Sequence, residues 1–296
     1  MTPEGSHEER WKRKKIDPDR RKIGGGKKKI HRANKKICRR IFCFARHIFF
    51  YPAHVSRRVS RIGERYDEAM FRREPPRHLA ELRVRAEALA GRTVGEIARA
   101  LGVTIDGEPL RNKGRVGELI ERALGASAGS AATPDFPHLG VELKTVPVDE
   151  RGAPRESTFV CSIRLDEADR ASWERSAAQS KLAHVLFVPV EAAVGTALGE
   201  RRVGRARFFR PTAAQEAVLR ADFEDLVGRI GAGGADALTA REGRWLQVRP
   251  KAADGSVRTL APAGDDGLLV ETGPRGFYLR RRFVAAILVD PEALPE

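Results

Sequence analysis

Several features that would place this chain outside the cell, in a membrane or around a bound nucleotide are missing. Just three cysteines, Cys38, Cys43 and Cys161, occur in 296 residues. They show no metal-ligand spacing and no disulfide framework, which fits a reducing cytoplasm. No apolar run reaches the ~20 residues that a transmembrane helix needs. The stretch from Ile41 to Tyr51 is short and broken by Arg46 and His47, so no signal-peptide layout appears. There is no glycine-rich cofactor motif, no nucleotide-binding loop and no Cys/His spacing for zinc.

What the chain does have is positive charge, unevenly placed. Of a net +15, residues 1–69 hold 21 Lys and Arg against 8 Asp and Glu, while residues 70–296 hold 34 against 32. The first 69 residues therefore read as a basic arm, with few apolar residues and a break at Gly24-Gly25-Gly26. Clusters such as Lys12-Arg13-Lys14-Lys15 and Lys27-Lys28-Lys29 can contact phosphates without reading sequence. Three readings compete: a disordered DNA-binding tail, a solvated tail of no consequence, or a segment that is not translated because synthesis starts at Met70. A chain of 296 residues is long enough to bury a good core, as one large domain or two smaller ones, and residues 70–296 read as its folded body.

The body starts near Glu74-Pro75-Pro76. Leu79, Leu82, Ala86 and Leu89 recur at helical spacing, and Gly91 is a natural stop. Thr93 and Glu96 form a capping box for a short helix ending at Gly102. This helix pair has a superficial likeness to a helix-turn-helix reader, but no basic recognition helix follows; two helices bracing the N-terminal part is the plainer reading. Val116, Leu119, Ile120 and Leu124 form the stripe of a third helix stopped by Gly125. Glu118 and Glu121 lie outside or beside that stripe, as ordinary surface acids do. Gly125, Ala126, Ser127, Gly129 and Ser130 suit either a close backbone approach to a phosphate or a plain loop. Further on, Ser157 to Ile163 reads as a strand with Phe159 and Cys161 on one face, forming a hairpin with the strand before it. A buried strand follows at 184–191, and Thr212 and Gln215 open a long helix carrying Leu219, Phe223, Leu226 and Ile230.

One stretch concentrates the chemistry, Pro134-Asp135-Phe136-Pro137-His138-Leu139-Gly140-Val141-Glu142-Leu143-Lys144-Thr145. A Pro-Asp turn is followed, six residues later, by Glu-x-Lys in a strand. Strand side chains alternate, so Val141 and Leu143 face one way while Glu142 and Lys144 face the other. If the turn returns Asp135 to Glu142, two carboxylates and an ammonium converge. Hard oxygen ligands for Mg2+ beside a cation are what a metal-dependent phosphodiesterase requires. The spacing by itself is weak, because most such triplets are solvated strand faces.

The text around that stretch is more specific. LGASAGS (124–130), DFPHLGVELKTVPVD (135–149), ESTFVCSIRL (156–165), KLAHVLFVPVE (181–191), RRVGRARFF (201–209), WLQVRPKAAD (245–254) and PRGFYLRRRF (274–283) closely resemble the MutH family of mismatch-repair endonucleases, in the right order. The resemblance covers roughly residues 75–290. It implies a restriction-endonuclease-like α/β fold, with a mixed sheet flanked by helices and two lobes forming a DNA cleft. It implies that Asp135, Glu142 and the Leu143 carbonyl hold Mg2+, with Mn2+ as a substitute. Lys144 then acts on the attacking water or the phosphate, with Glu121 close to the metal. It makes Lys113, Phe159 and Lys181 residues near DNA or the active site, and Arg249, Lys251 and Tyr278 readers of the recognised bases. Without the resemblance, these are ordinary loop, strand and helix residues. Arg280, Arg281 and Arg282 would more simply grip phosphates.

The implied activity is nicking of the unmethylated strand at hemimethylated GATC in double-stranded DNA. Activation by a MutL-type ATPase, after a MutS-type sensor finds a mismatch, is implied with it, as is a monomer in solution. Nothing in composition or spacing bears on that coupling. A GATC-specific restriction enzyme is the nearest alternative, and the chain is too short to hold two such catalytic domains, so double cutting would need a dimer. A DNA-binding protein that does not cleave is the alternative of another class; the presence of all three motif residues weighs against it.

Overall fold

The computed structural model describes residues 74–105, 114–129, 133–251, 256–264, 268–292 and 294. The chain divides into two units, Met1–Phe44 and Ala45–Glu296, and every described residue belongs to the second. The arm, the boundary expected at residue 69, Met70 and Lys113 lie outside the described residues.

Among the described residues three helices come first, and each is bounded as its sequence predicts. Helix α1 is Leu79–Leu89, α2 is Val94–Ala100 and α3 is Arg115–Leu124. The capping box of α2 is formed: the Thr93 N–H donates to Glu96 Oε2 at 2.7 Å and the Glu96 N–H to Thr93 Oγ1 at 3.1 Å. Helix α3 ends at Gly125, whose φ of 79° is the left-handed conformation that closes a helix and that glycine adopts without a Cβ penalty. Strand β1 is Glu142–Val148 and β3 is Val185–Glu191. They pair in parallel, Glu142 opposite Val185, and β4 (Arg207–Phe209) adds to β3 antiparallel, giving a mixed sheet in the order β1-β3-β4. Every β3 residue but Glu191 is buried, as expected of a central strand covered on both faces.

A second, antiparallel sheet has the order β2-β8-β5, with β2 at Thr158–Ser162, β5 at Leu246–Pro250 and β8 at Arg275–Leu279. Two short strands, β6 (Thr259–Pro262) and β7 (Leu269–Thr272), form a separate ribbon between β5 and β8 in the chain. Helices α4 (Ala177–Leu182), α5 (Ala213–Arg229) and α6 (Arg281–Val289) complete the described elements that matter to the site. The protein is thus mixed α/β with small sheets. One buried cluster gathers α1–α3 against Leu143, Leu186 and Val188; the other joins Val146, Val148, Val185 and Phe187 to β2, β5, β8, α5 and α6.

Two sequence-based expectations fail here. Strands β1 and β2 do not form a hairpin: they belong to different sheets. After β1 the chain makes a single bridge, Val148 with Pro154, and Arg155 N–H donates to Pro147 O. Pro147 and Pro154 offer no N–H to extend a ladder, and β2 instead pairs with β8. Nor do Phe159 and Cys161 share a face. The register shifts between them, so that Phe159 lies opposite Tyr278 while Cys161 lies opposite Phe277. Val160 is the extra residue of a β-bulge, and it restarts the alternation. Phe159 is left partly exposed, and Cys161 turns into the core.

Candidate active site

The turn expected to return Asp135 to the strand is present, and its construction is plain. Phe136 and Val141, both fully buried, form a β-bridge that clamps its two ends. Between them Pro137–Leu139 makes one 3-10 turn, closed by Gly140 at φ 63°. Asp135 therefore sits beside the start of β1, and its Oδ2 accepts the Leu143 N–H at 2.8 Å. The Asp135 carbonyl accepts from the Ser127 and Ala128 N–H groups at 3.0 and 3.3 Å. Two amides of the small-residue loop thus hold the aspartate rather than wait for a phosphate.

Glu142 is 1 % exposed, and its N–H donates to His184 O across the parallel pair. Its carboxylate carries two ammoniums. Lys144 Nζ lies 2.6 Å from Oε1, and Lys181 Nζ lies 2.9 Å from Oε1 and 3.1 Å from Oε2. Lys144 arrives from the next residue on the same face of β1, and Lys181 from the last turn of α4. Sequence spacing could pair Lys144 with Glu142; it had no means of placing Lys181 there.

Glu121 completes the acidic side. Helix α3 approaches β1 closely at Gly117, where an added Cβ would stand 3.4 Å from Thr145 Oγ1 and 3.9 Å from Glu121 Oε1. Burial, then the charge on Asp135, pushes the Glu121 carboxyl above its usual range. Burial, then Glu142, does the same to Asp135. Glu118, one turn away, is exposed.

Among the described residues no three His, Cys, Asp or Glu side chains form a ready metal cage. The set expected from the sequence needs two carboxylates and a carbonyl, and those atoms are hard oxygens gathered at one strand end. Burial and, after it, like-charge crowding raise Asp135 and Glu121, and a divalent cation would relieve the crowding, so the donor set fits such an ion.

The candidate base readers lie on the second sheet. Arg249 Nη1 donates to Ser157 Oγ at 2.6 Å, and its guanidinium carbon lies 5.8 Å from the Tyr278 ring centre. Lys251 Nζ donates to Ser162 Oγ at 2.6 Å and stands 4.5 Å from the Phe159 ring centre. Phe159 and Tyr278 meet edge to face at 5.2 Å. On its other side Phe159 is 6.0 Å from Lys144 Nζ, so these side chains run without a gap from the acidic cluster to Arg249. Burial raises the Tyr278 hydroxyl above its ordinary range. Ser157 and Ser162, which hold the two cations, had no signal in the sequence. Arg280 and Arg281, expected at phosphates, each direct one N–H to a backbone carbonyl, of Glu242 and Pro154 respectively.

Comparison with known proteins agrees with the resemblance. Residues 124–222 match the family described as DNA mismatch repair enzyme MutH, a span that includes Asp135, Glu142, Lys144, Phe159 and Lys181. The chain is 44 % identical over 214 residues to the DNA mismatch repair protein MutH of Shewanella oneidensis, covering 72 % of this chain and 96 % of that protein. It is 45 % identical over 214 residues to the protein of the same name from Shewanella sp. strain MR-7, with the same coverage. With that of Histophilus somni it shares 44 % over 216 residues, covering 73 % of this chain and 96 % of the relative.

Proposed function

Because the chain belongs to the MutH family of DNA mismatch repair proteins, we propose that it is a Mg2+-dependent endonuclease that nicks the unmethylated strand at hemimethylated GATC. The observation that carries this reading is the convergence of Asp135, Glu142 and Lys144, joined by Lys181, at one end of β1. Asp135, Glu142 and the Leu143 carbonyl would hold the ion. When bound, Mg2+ lowers the pKa of a water and offsets charge on the phosphate.

The protein's own groups do the rest. Lys144 orients the water or faces the phosphoryl oxygens as negative charge builds there. Lys181 neutralises Glu142 from the opposite element. Water adds to phosphorus and the P–O3′ bond breaks, leaving a 5′-phosphate and a 3′-hydroxyl. Arg249 and Lys251 donate to base edges, while Tyr278 and Phe159 offer ring faces. A methyl on adenine N6 would remove one donor proton and add bulk against those side chains. The duplex would lie in a cleft between two lobes, with activation by a MutL-type ATPase downstream of a MutS-type sensor. A monomer acting in the cytoplasm suits a single nick.

The test is cleavage of supercoiled plasmid with Mg2+, on unmethylated, hemimethylated and fully methylated GATC, with and without a MutL-type protein. Partner-stimulated nicking confined to the unmethylated strand is expected. Strong double-strand cutting without a partner would identify a restriction enzyme instead. Tight binding with no cleavage under any condition would leave a non-cutting DNA binder.

A further inference from the structure

We propose that Gly276 is a specificity-determining positioning residue: the space left by its missing side chain is the seat of the Phe159 ring, and that ring sets Lys251 and Tyr278 for reading DNA. The proposal rests on the nuclease reading above and adds to it a residue that is itself buried.

The register of the second sheet puts Gly276 in the middle of a row. Ser162 lies opposite it on β2 and Arg249 opposite it on β5. The neighbouring row is Phe159, Tyr278 and Gln247. Phe159 lies just before the bulge, and its ring covers Gly276. A Cβ at position 276 would come within 2.8 Å of Phe159 Cε2, 3.4 Å of Phe159 Cδ2 and 3.1 Å of the Cys161 carbonyl. Carbon atoms in contact prefer about 3.5–4.0 Å, so the ring would have to leave.

Glycine inside a strand weakens it and marks a place where another group comes close. Gly276 is not among the glycines with positive φ, so its backbone does not require it. The requirement is space. Three contacts hang on the ring that fills it: Lys251 Nζ at 4.5 Å, Tyr278 at 5.2 Å and Lys144 Nζ at 6.0 Å from its centre. Tyr278 in turn lies under Arg249. One methyl group at position 276 therefore disturbs every proposed reader on this sheet through the ring, which it meets more closely than it meets the Cys161 carbonyl.

The experiment is a double-mutant cycle of G276A and F159L on the full chain. Single-turnover cleavage with Mg2+ and a MutL-type protein is measured on a hemimethylated duplex carrying GATC and on one with a single base pair of that site changed. In the native Phe159 background, G276A should lower the ratio of the two rates by about tenfold or more, the loss expected when a base contact is misplaced. In the F159L background the same substitution should change the ratio by less than about twofold, because the ring it displaces is gone. A merely structural role scales both rates with the amount of active protein and leaves the ratio alone.

An unchanged ratio in the native background, or equal losses in both, overturns the proposal while leaving the nuclease reading intact. Should G276A alone fail to fold, G276A/F159L should still fold, with the ratio of F159L. Failure to fold there too would sink the idea. Wild-type protein that cuts neither duplex refutes the nuclease reading, and the proposal with it.

Discussion

Glu142 holds two lysines on one buried carboxylate, while Asp135, at the other end of the same turn, is raised by burial and then by the charge of Glu142. The two acids should therefore respond differently to removal. Glu142→Ala leaves two ammoniums without their partner, and breaking a buried pair of this kind costs about 3 kcal/mol. Asp135→Asn keeps an acceptor for the Leu143 N–H and removes the repulsion. A carboxyl whose folded pKa stands above its unfolded value favours the fold while protonated, and that contribution is lost as pH rises through the folded value. Metal-free Asp135→Asn should thus have a Tm at pH 8 no lower than the wild type, and Glu142→Ala a lower one; both should lose cleavage. A Tm drop for Asp135→Asn equal to that of Glu142→Ala would refute this account of the crowding. Lys144→Ala should reduce the rate about 10²–10³-fold, as removal of one charge-stabilising donor does. Cys161 offers a check on burial. Its thiol is pushed up to about 11, first by burial, so at pH 8 it stays protonated and should resist iodoacetamide in the native state. Peptide mapping that finds Cys161 labelled as fast folded as unfolded would contradict its placement.

Asp222, on α5, anchors the strand that carries Arg249. Its carboxylate accepts the N–H groups of Arg244, Trp245 and Leu246 at 2.6, 2.6 and 2.8 Å. Asp222→Ala would orphan three amides at the start of β5, so a loss of about 3 kcal/mol is expected in denaturant unfolding. Hydrogen exchange at Trp245 and Leu246 should rise before exchange in β3; protection left unchanged would show that the carboxylate is dispensable. The helix around Asp222 was readable in advance, since Thr212 and Gln215 cap it and Leu219, Phe223 and Leu226 repeat at 3.6 residues. The same holds for α1–α3. Local signals fix local structure. Pairing of β2 with β8 is not local, and no periodicity in either strand names its partner. The bulge at Val160 inserts a single residue, which an alternation count cannot detect. Asp135 and Glu142 were legible because Pro137 and Gly140 write the turn between them, whereas Lys181 reaches Glu142 through the packing of α4 against β2 and no spacing encodes it.

The distribution of charge in the chain suggests a division of labour that can be tested. Residues 70–296 are nearly balanced, 34 Lys and Arg against 32 Asp and Glu, yet cations collect at particular atoms of the site. Lys144 and Lys181 are held on Glu142, and the proposed readers Arg249 and Lys251 on Ser157 and Ser162, all at 2.6–3.1 Å. Residues 1–69 supply 21 cationic residues against 8 acids, and such an excess binds phosphates by releasing counterions, without regard to sequence. The two contributions should separate cleanly. Deleting residues 1–69 should weaken binding to a duplex lacking GATC by about tenfold or more at 50 mM salt, and should flatten the slope of log K against log salt. The cut position, and the preference for GATC over a one-base variant, should stay the same, because every proposed reader lies beyond residue 112. Mapping the nick on a long duplex with both proteins decides it: a moved or relaxed cut site would mean that the arm takes part in recognition, and an unchanged salt slope would mean that it does not touch DNA at all.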